Sequence, residues 1–148
     1  MALDKFSVTP TVTAGAYTAL DCIGGRQQLK GAASRRCVVE RTILVDTAGN
    51  NVDYYIAFYD AVPTDVTDNN PFAPARADNT KVLATIPLTA ASMRFPFQTG
   101  SMHQNGIWHP ELISAEDDGD IWFFLWSPGA PTYGNTGDLS LIFELRPT

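Results

Sequence analysis

The stretch IWFFLW, residues 121–126, is apolar at every position. If it forms a strand, alternate side chains point to opposite sides, so both of its faces are apolar. A strand that faces water on one side needs only one apolar face. Two interpretations therefore remain open: a central strand that the protein's own chain covers on both faces, or a strand whose second face another subunit covers. The run YYIAFY, residues 54–59, poses the same choice.

Around these runs, ten prolines and eleven glycines divide the chain into short segments. Period-2 alternation, which is typical of strands, recurs between them. It is clearest in the last run, where Leu139, Leu141, Phe143 and Leu145 share one face and only Ile142 breaks the pattern. Further strands are predicted at residues 6–12, 17–23, 36–46, 52–59, 81–88, 95–97 and 107–108.

Gly49, Asn50 and Asn51 separate two of these strands at the distance of a hairpin turn. These residue types adopt positive φ angles at little cost, as hairpin turns require. We therefore predict a β-hairpin over residues 37–59. Pro87, near the end of a later strand, predicts an edge strand, because proline cannot donate a hydrogen bond to a β-ladder.

Residues 60–79 form the longest irregular segment of the chain. Within it, Asp68, Asn69 and Asn70 precede Pro71, an order that can cap a short helical turn. Loops of this length in compact domains usually have a packing or functional role. We expect one of these roles for this loop.

About eight strands joined by loops of mixed length predict an all-β fold. We expect a single-domain β-sandwich over residues 1–148, jelly-roll-like. Residues 1–15 could form an N-terminal arm, and the sequence leaves open whether such an arm orders only on binding. A length of 148 residues suits one domain and can bury a core without disulfides or metal ions.

The charge pattern narrows the function classes. The net charge is −6, and the ten lysines and arginines are scattered. Binding to a nucleic-acid backbone needs a clustered basic face, so this class is excluded. No stretch approaches the ~18 consecutive apolar residues of a membrane-spanning helix, and the first residues lack the pattern of a secretion signal. We therefore expect a protein made and folded in the cytoplasm, with no membrane partner.

Cys22 and Cys37 are the two cysteines of the chain, and neither lies in a CxxC pattern of the kind that binds zinc. They either form one disulfide or are two small, buried, apolar side chains. Because no secretion signal accompanies them, we favour the second interpretation.

His103 and His109 could supply half of a metal site, with Glu111 or the acidic turn at 116–120 as the third ligand. The acidic residues are bunched rather than alternately spaced, which does not match a calcium-binding loop. We interpret the histidines as loop residues and the acidic run as a solvated hairpin turn. The chain also has no G-x-S-x-G elbow and no phosphate-binding loop. No catalytic residue and no cofactor are predicted, although metal-assisted catalysis at the two histidines stays an alternative.

The aromatic surplus indicates protein contacts instead, because interfaces are enriched in aromatic side chains. On each doubly apolar run, one face would belong to the core and the other would be available to a partner. We predict contact residues among the aromatic side chains of these runs and of two loops: Tyr55, Tyr59, Trp108, Trp122, Trp126 and Tyr133.

Three segments of the chain carry a resemblance to a known family. They are FYDAVP at residues 58–63, TDNNPF at 67–72, and APTY at 130–133 followed by Asp138 and Leu139. In this order they resemble the head decoration proteins, or capsid cement proteins, of tailed bacteriophages. In that family the first motif reads F-D-A-x-P, so Tyr59 is an insertion here.

The resemblance implies a β-sandwich that assembles as a homotrimer on the outside of an icosahedral capsid and bridges neighbouring copies of the major capsid protein. It implies no catalytic residue, cofactor or small-molecule substrate, and a place on the virion surface after assembly in the host cytoplasm. Two further functions remain open. One is another phage structural component. The other is a carbohydrate- or receptor-binding jelly-roll module in which Trp108, with Tyr133 or Trp126, stacks on a sugar ring.

Overall fold

The computed structural model describes residues 4–30, 37–105, 111–113 and 120–147. These residues form two antiparallel sheets packed face to face, which confirms the predicted all-β sandwich. They contain ten strands where about eight were predicted, and the strand predicted at 107–108 lies outside them. The strands are β1 (Asp4–Val8), β2 (Cys22–Leu29), β3 (Cys37–Asp46), β4 (Tyr54–Tyr59), β5 (Val82–Leu88), β6 (Arg94–Phe97), β7 (Gly100–Asn105), β8 (Glu111–Ile113), β9 (Ile121–Trp126) and β10 (Leu139–Pro147). A 3₁₀ helix spans Arg76–Lys81, and one short α-helix, α1, spans Ala90–Met93.

The strand order of the two sheets is that of a jelly roll. The six-stranded sheet runs β1-β10-β3-β7-β6, with the short β8 also paired to β3, and the four-stranded sheet runs β2-β9-β4-β5. One antiparallel two-stranded ribbon therefore contains, in order, the pairs β1·β10, β2·β9, β3·β7 and β4·β5. Successive pairs of this ribbon lie in alternate sheets. A ribbon wound in this way is the jelly-roll arrangement, so the predicted architecture is confirmed.

The core lies between the sheets and follows from the alternation in the sequence. Each large apolar side chain that it buries contributes roughly 1.5–3 kcal/mol through removal from water. Ile142 lies on the opposite, half-buried face of β10. Alternate side chains of three strands are buried in this core, as predicted for the last of them: Tyr54, Ile56 and Phe58 of β4; Ile121, Phe123 and Leu125 of β9; and Leu139, Leu141, Phe143 and Leu145 of β10.

The predicted hairpin over residues 37–59 is wrong, because its two strands belong to different sheets. β3 pairs with β10 and β7 in the six-stranded sheet, whereas β4 pairs with β9 and β5 in the other. Residues 47–53 carry the chain from one sheet to the other, and Gly49 there has the expected positive φ, +71°. The Asp46 side chain accepts hydrogen bonds from three backbone N–H groups of this segment. It therefore shapes a crossing turn rather than a hairpin turn.

The predicted long loop is confirmed as irregular over residues 60–75, but its last part begins the 3₁₀ helix. The helical turn predicted at Asp68 to Pro71 does not form. Asn69 adopts a φ of +60° in a tight turn, and Pro71 forms an isolated β-bridge. The short polar side chains at this point serve a turn and contacts to neighbouring elements instead of a helix cap.

Two predictions concern the edges of the sheets. β5 is an edge strand of the four-stranded sheet, as Pro87 indicated. The N-terminal segment is not a separate arm, because β1 pairs with β10 at the edge of the other sheet and Val12 is buried. Residues 4–15 are therefore part of the sandwich in this structure, and residues 1–3 lie outside the described part.

Both cysteines are free and buried, as the interpretation of two small apolar side chains predicted. Cys37 lies in the core between the sheets, whereas Cys22 lies on the other side of the four-stranded sheet. Burial raises the pKa of the Cys22 thiol to about 12 and that of Cys37 to about 11. Both thiols are therefore protonated at neutral pH and poorly nucleophilic.

Candidate functional site

The four-stranded sheet has a second buried cluster on the face that points away from the core. Its members, which we call the outer aromatic cluster, are Cys22, Ala57, Tyr59 and Phe124. β9 lies between β2 and β4, so IWFFLW is a central strand that is covered on both faces. Val66 and Phe72 from the long loop pack on this cluster. Of the two interpretations of the apolar run, the structure supports cover by the protein's own chain.

Residues 60–75 form a strap over the outer aromatic cluster. Phe72 is its central contact: the ring stacks on Trp126 at a centroid distance of 4.4 Å and lies 5.3 Å from the ring of Phe124. The backbone N–H of Phe72 donates to the carbonyl of Leu20, just before β2. The strap therefore covers the outer face of the four-stranded sheet and protects one end of its edge.

Two carboxylates fasten the strap to a glycine bulge in β2. Gly24 and Gly25 have φ angles of +83° and +71°, and the register between β2 and β9 shifts at this point. Gly24 N donates to Asp68 Oδ1 at 2.6 Å, and Arg26 N donates to Asp65 Oδ1 at 3.0 Å. A Cβ on Gly24 would lie 2.5 Å from a proline Cβ, so both its φ angle and its surroundings require glycine.

Asp68 also ties the strap to the residues that precede β2. Tyr17 OH donates to Asp68 Oδ1 and Thr13 Oγ1 donates to Asp68 Oδ2, each at 2.7 Å. Burial and the hydrogen bond to the carboxylate raise the pKa of Tyr17 above its ordinary value, so the hydroxyl remains a donor. This single carboxylate therefore joins three separate segments of the chain.

Two of the predicted contact residues have roles inside the molecule. Tyr59 is 1% exposed in the outer aromatic cluster, and Tyr133 is 2% exposed in the main core. The hydroxyls of Tyr133 and Tyr54 share a hydrogen bond of 2.9 Å, and burial raises the pKa of both. Buried side chains offer a partner almost no surface. The structure therefore contradicts the expectation of exposed contacts at Tyr59 and Tyr133.

Three other predicted contact residues, Tyr55, Trp122 and Trp126, are half-buried on the outer face of the four-stranded sheet. Trp126 packs against Tyr55, with ring centroids 5.7 Å apart, as well as against the strap. The guanidinium of Arg26 lies 5.2 Å from the ring centroid of Trp122. Each of these rings thus makes contacts within the chain, and their contact with a partner stays a prediction. Trp108 lies outside the described residues.

His103 is a core residue of β7, so its interpretation as a loop residue is wrong. It is fully buried, its Nε2 lies 2.9 Å from the carbonyl O of Val52, and its ring meets that of Tyr54 edge-on at 5.1 Å. Desolvation lowers the pKa of His103, so the imidazole is neutral at neutral pH. In the part of the chain that the structure describes, no three His, Cys, Asp or Glu side chains are placed to hold a metal ion. His109 and residues 116–119 lie outside that part.

An apolar surface on the outer face of the six-stranded sheet was not predicted. Val45, Met102 and Phe95 lie opposite one another across β3, β7 and β6. On the next row, Ile142 of β10 lies opposite Ile43 of β3. Phe95 and Phe97 are 53% and 49% exposed. We call this set the outer patch: Ile43, Val45, Phe95, Phe97, Met102 and Ile142.

The sequence contains part of the signal for the outer patch. In RFPF, residues 94–97, alternation places both phenylalanines on one side of the strand. Ile142 was the apolar exception on the outward face of its strand. What the sequence lacks is the pairing that makes these residues neighbours, since β3 and β10 are far along the chain from each other and from the consecutive strands β6 and β7.

The sequence matches no protein-family model and no curated protein. Within the described ranges, the structure contains no helix that is long and apolar enough to span a membrane. The described part of the chain has two candidate contact surfaces: an aromatic face that the strap partly covers, and an apolar patch that no described segment covers.

Proposed function

We propose that this protein decorates the outer surface of a bacteriophage capsid and stabilises it by bridging neighbouring copies of the major capsid protein. In this proposal the chain assembles as a homotrimer and has no catalytic residue or cofactor. The observation that best supports the proposal is the outer patch, an apolar surface on a sheet face. Exposed apolar patches on soluble proteins usually mark sites of contact with other molecules.

The three motifs that carry the family resemblance lie at points that hold this fold together. FYDAVP ends β4 and begins the strap, and TDNNPF contains Asp68 and Phe72, which fasten the strap. Tyr133 of APTY lies in the core, and Asp138 accepts hydrogen bonds from two backbone N–H groups of the loop before β10. The motifs therefore support a shared fold, and the contact residues of the proposal have to be sought elsewhere.

The proposed role needs rigidity rather than chemistry. A decoration protein adds interface free energy between shell subunits, and the contributions of many linked copies raise the kinetic barrier to rupture. A rigid partner also loses less conformational entropy when it binds. The strap, which is hydrogen-bonded to β2 and packs on β9, provides this rigidity on one side of the sandwich.

The test uses expanded, emptied capsids assembled from the major capsid protein of the same genome. Purified protein is added, binding is measured by co-sedimentation, and the temperature of capsid rupture is measured with and without it. We expect saturable binding and a higher rupture temperature. A protein that neither binds nor changes the rupture temperature would exclude the decoration role. Sedimentation equilibrium of the free protein tests the homotrimer separately.

A second candidate is a carbohydrate- or receptor-binding module. The half-buried pair of Tyr55 and Trp126 favours it, because small-molecule sites are commonly lined by aromatic side chains. The buried Tyr133 cannot stack on a sugar in the way that the sequence suggested. Saturable binding to a glycan array that a Trp126→Ala variant loses, in a protein that does not bind capsids, would favour this function instead.

A further inference from the structure

The outer patch extends over four strands of the six-stranded sheet. Its members on β10, β3, β7 and β6 lie on adjacent rows of the ladder, so they form one surface rather than scattered positions. The equivalent face of the four-stranded sheet differs, because the strap fills it. Among the described residues, the outer patch is thus the sheet face with the more exposed apolar side chains.

The adjoining edge of the sheet offers little to a partner strand. β6 is the edge strand, and Pro96 in it has no N–H to donate. The Arg94 side chain is directed to the crossing turn, where it donates to the carbonyls of Gly49 and Asn50. A partner therefore has to bind the side chains of the face rather than extend the sheet as an added strand.

The outer patch is uncharged, although the protein is acidic. The described charged side chains of this face lie beyond the patch, where Arg41 pairs with Glu144, Arg146 pairs with Glu40, and Lys5 lies opposite Glu144. This group contains three cationic side chains and two carboxylates, whereas the whole chain has a net charge of −6. A charged partner group buried on the patch would lose its hydration without gaining a counter-charge. The patch therefore fits a partner surface that is apolar and uncharged at its centre.

The size of the outer patch argues against a stable pair of chains held together by it alone. A standard protein interface uses about 20–30 residues on each side. The patch has six apolar residues, and four of them are half-buried already. A contact of this size is suited to a repeated lattice, where a protein that touches several sites gains from the linkage between them.

We infer that the outer patch is the surface through which this protein contacts the capsid shell, seated on an apolar, uncharged area of a shell subunit. The inference rests on the proposed capsid function, and it adds which face of this protein contacts the shell. It also orients the molecule, with the six-stranded sheet toward the shell and the strapped four-stranded sheet away from it.

The experiment compares variants for binding to the same expanded capsids. The double variant Phe95→Ser, Phe97→Ser removes the most exposed part of the patch. The matched control, Val62→Ser with Val82→Ser, changes two exposed apolar side chains of 48% and 39% exposure outside it. Because all four side chains are exposed, we expect little change in unfolding temperature, which is measured first. We expect a loss of capsid affinity of about tenfold or more for the phenylalanine variant and less than about twofold for the control.

A second variant, Gln104→Arg, leaves the apolar packing intact. Gln104 lies opposite Ile43 at the border of the patch, so a bulky charge there should weaken docking by a similar factor. If the unmodified protein does not bind capsids, the proposed function and this inference fail together. If it binds, and both patch variants bind as tightly, the inference alone is wrong. A phenylalanine variant with an altered oligomeric state in solution would show that the patch joins copies of this chain, which also overturns the inference.

Discussion

Asp46 shows how this sandwich accommodates a fully buried carboxylate. Its oxygens accept hydrogen bonds from the backbone N of Ala48 at 2.8 Å, the backbone N of Asn50 at 3.0 Å and the hydroxyl of Tyr54 at 3.1 Å. A buried carboxylate without such donors would be very costly, whereas charge-assisted hydrogen bonds are about twice as strong as neutral ones. The crossing turn and this side chain therefore stabilise each other.

His103 should make the stability of the protein depend on pH below about 6.5. Burial lowers its pKa in the folded state, so folding favours the neutral imidazole. Protonation would also place an N–H on Nδ1, which has no hydrogen-bond partner among the described residues. Arg94 opposes the charged form, while Asp46 and Asp53 favour it less strongly than burial opposes it. The contribution is complete above about pH 6.5 and is lost as pH falls, by at most about 1.4 kcal/mol per pH unit.

Denaturant unfolding between about pH 5 and 7.5 checks this prediction. We expect His103→Gln to reduce the dependence of the unfolding free energy on pH. The lowered pKa values of Asp78 and Asp138 do not interfere, because their stabilisation is present above the carboxylate's unfolded pKa and is lost only at lower pH. An equal pH dependence in His103→Gln and the unmodified protein would show that another group is responsible.

At the scale of single residues, alternation in the sequence predicted which face of a strand a side chain lies on. It did not predict which faces other segments of the chain would bury. Alternation placed Phe143 correctly in the core. It also placed Tyr59 on the opposite face of its strand, but the segment that buries Tyr59 has no periodicity by which its position could be predicted. Tyr133 was misjudged for a related reason, because a loop residue gives no alternation and its burial depends on packing against distant residues such as Tyr17 and Tyr54.

At the scale of elements, the strands were predictable and their partners were not. The patterns at 37–46 and 54–59 are clear, and the turn between them contains the expected glycine. A hairpin would pair the two strands with each other, but each is central in its own sheet and takes both partners from distant parts of the chain. Local turn chemistry cannot distinguish a hairpin from a crossing between sheets, since both need a tight change of direction.

The strap is the element whose removal should expose the outer aromatic cluster without unfolding the sandwich. We predict that Phe72→Ala increases the labelling rate of the Cys22 thiol under native conditions by about tenfold or more, because loss of the half-buried ring and its packing on Trp126 and Phe124 should cost about 1.4 kcal/mol or more. Cys37 lies in the core between the sheets and serves as an internal control. Thiol-specific labelling followed by mass spectrometry of the peptides measures both rates.

The matched control for the strap is Phe95→Ala, which truncates an exposed phenylalanine on the other sheet. It should leave the labelling rates of both thiols nearly unchanged. If Phe72→Ala accelerates Cys22 and Cys37 by the same factor, labelling proceeds through global unfolding and the strap does not open on its own.

At the scale of the whole molecule, the jelly roll joins the two ends of the chain. β1 pairs with β10, and β2 pairs with β9, so the ladders connect residues that are far apart in sequence. Composition and alternation predict two layers of strands, but they carry no information on this order. The order brings the outer patch together on one side, and it places β9 between two covered faces on the other.

Because β9 serves both buried clusters, we predict that the whole sandwich unfolds in one step. Phe123 of β9 lies in the main core and Phe124 in the outer aromatic cluster, so neither cluster can persist once this strand is lost. The single variants Cys22→Ser and Cys37→Ser each keep one thiol, so pulsed thiol labelling across a denaturant series reports on one sheet at a time. Both thiols should give the same unfolding midpoint as circular dichroism. The Phe72→Ala background is the positive control, in which Cys22 should become reactive at lower denaturant concentration than Cys37. An early Cys22 midpoint in the protein with an intact strap would mean that the four-stranded sheet unfolds as a separate unit.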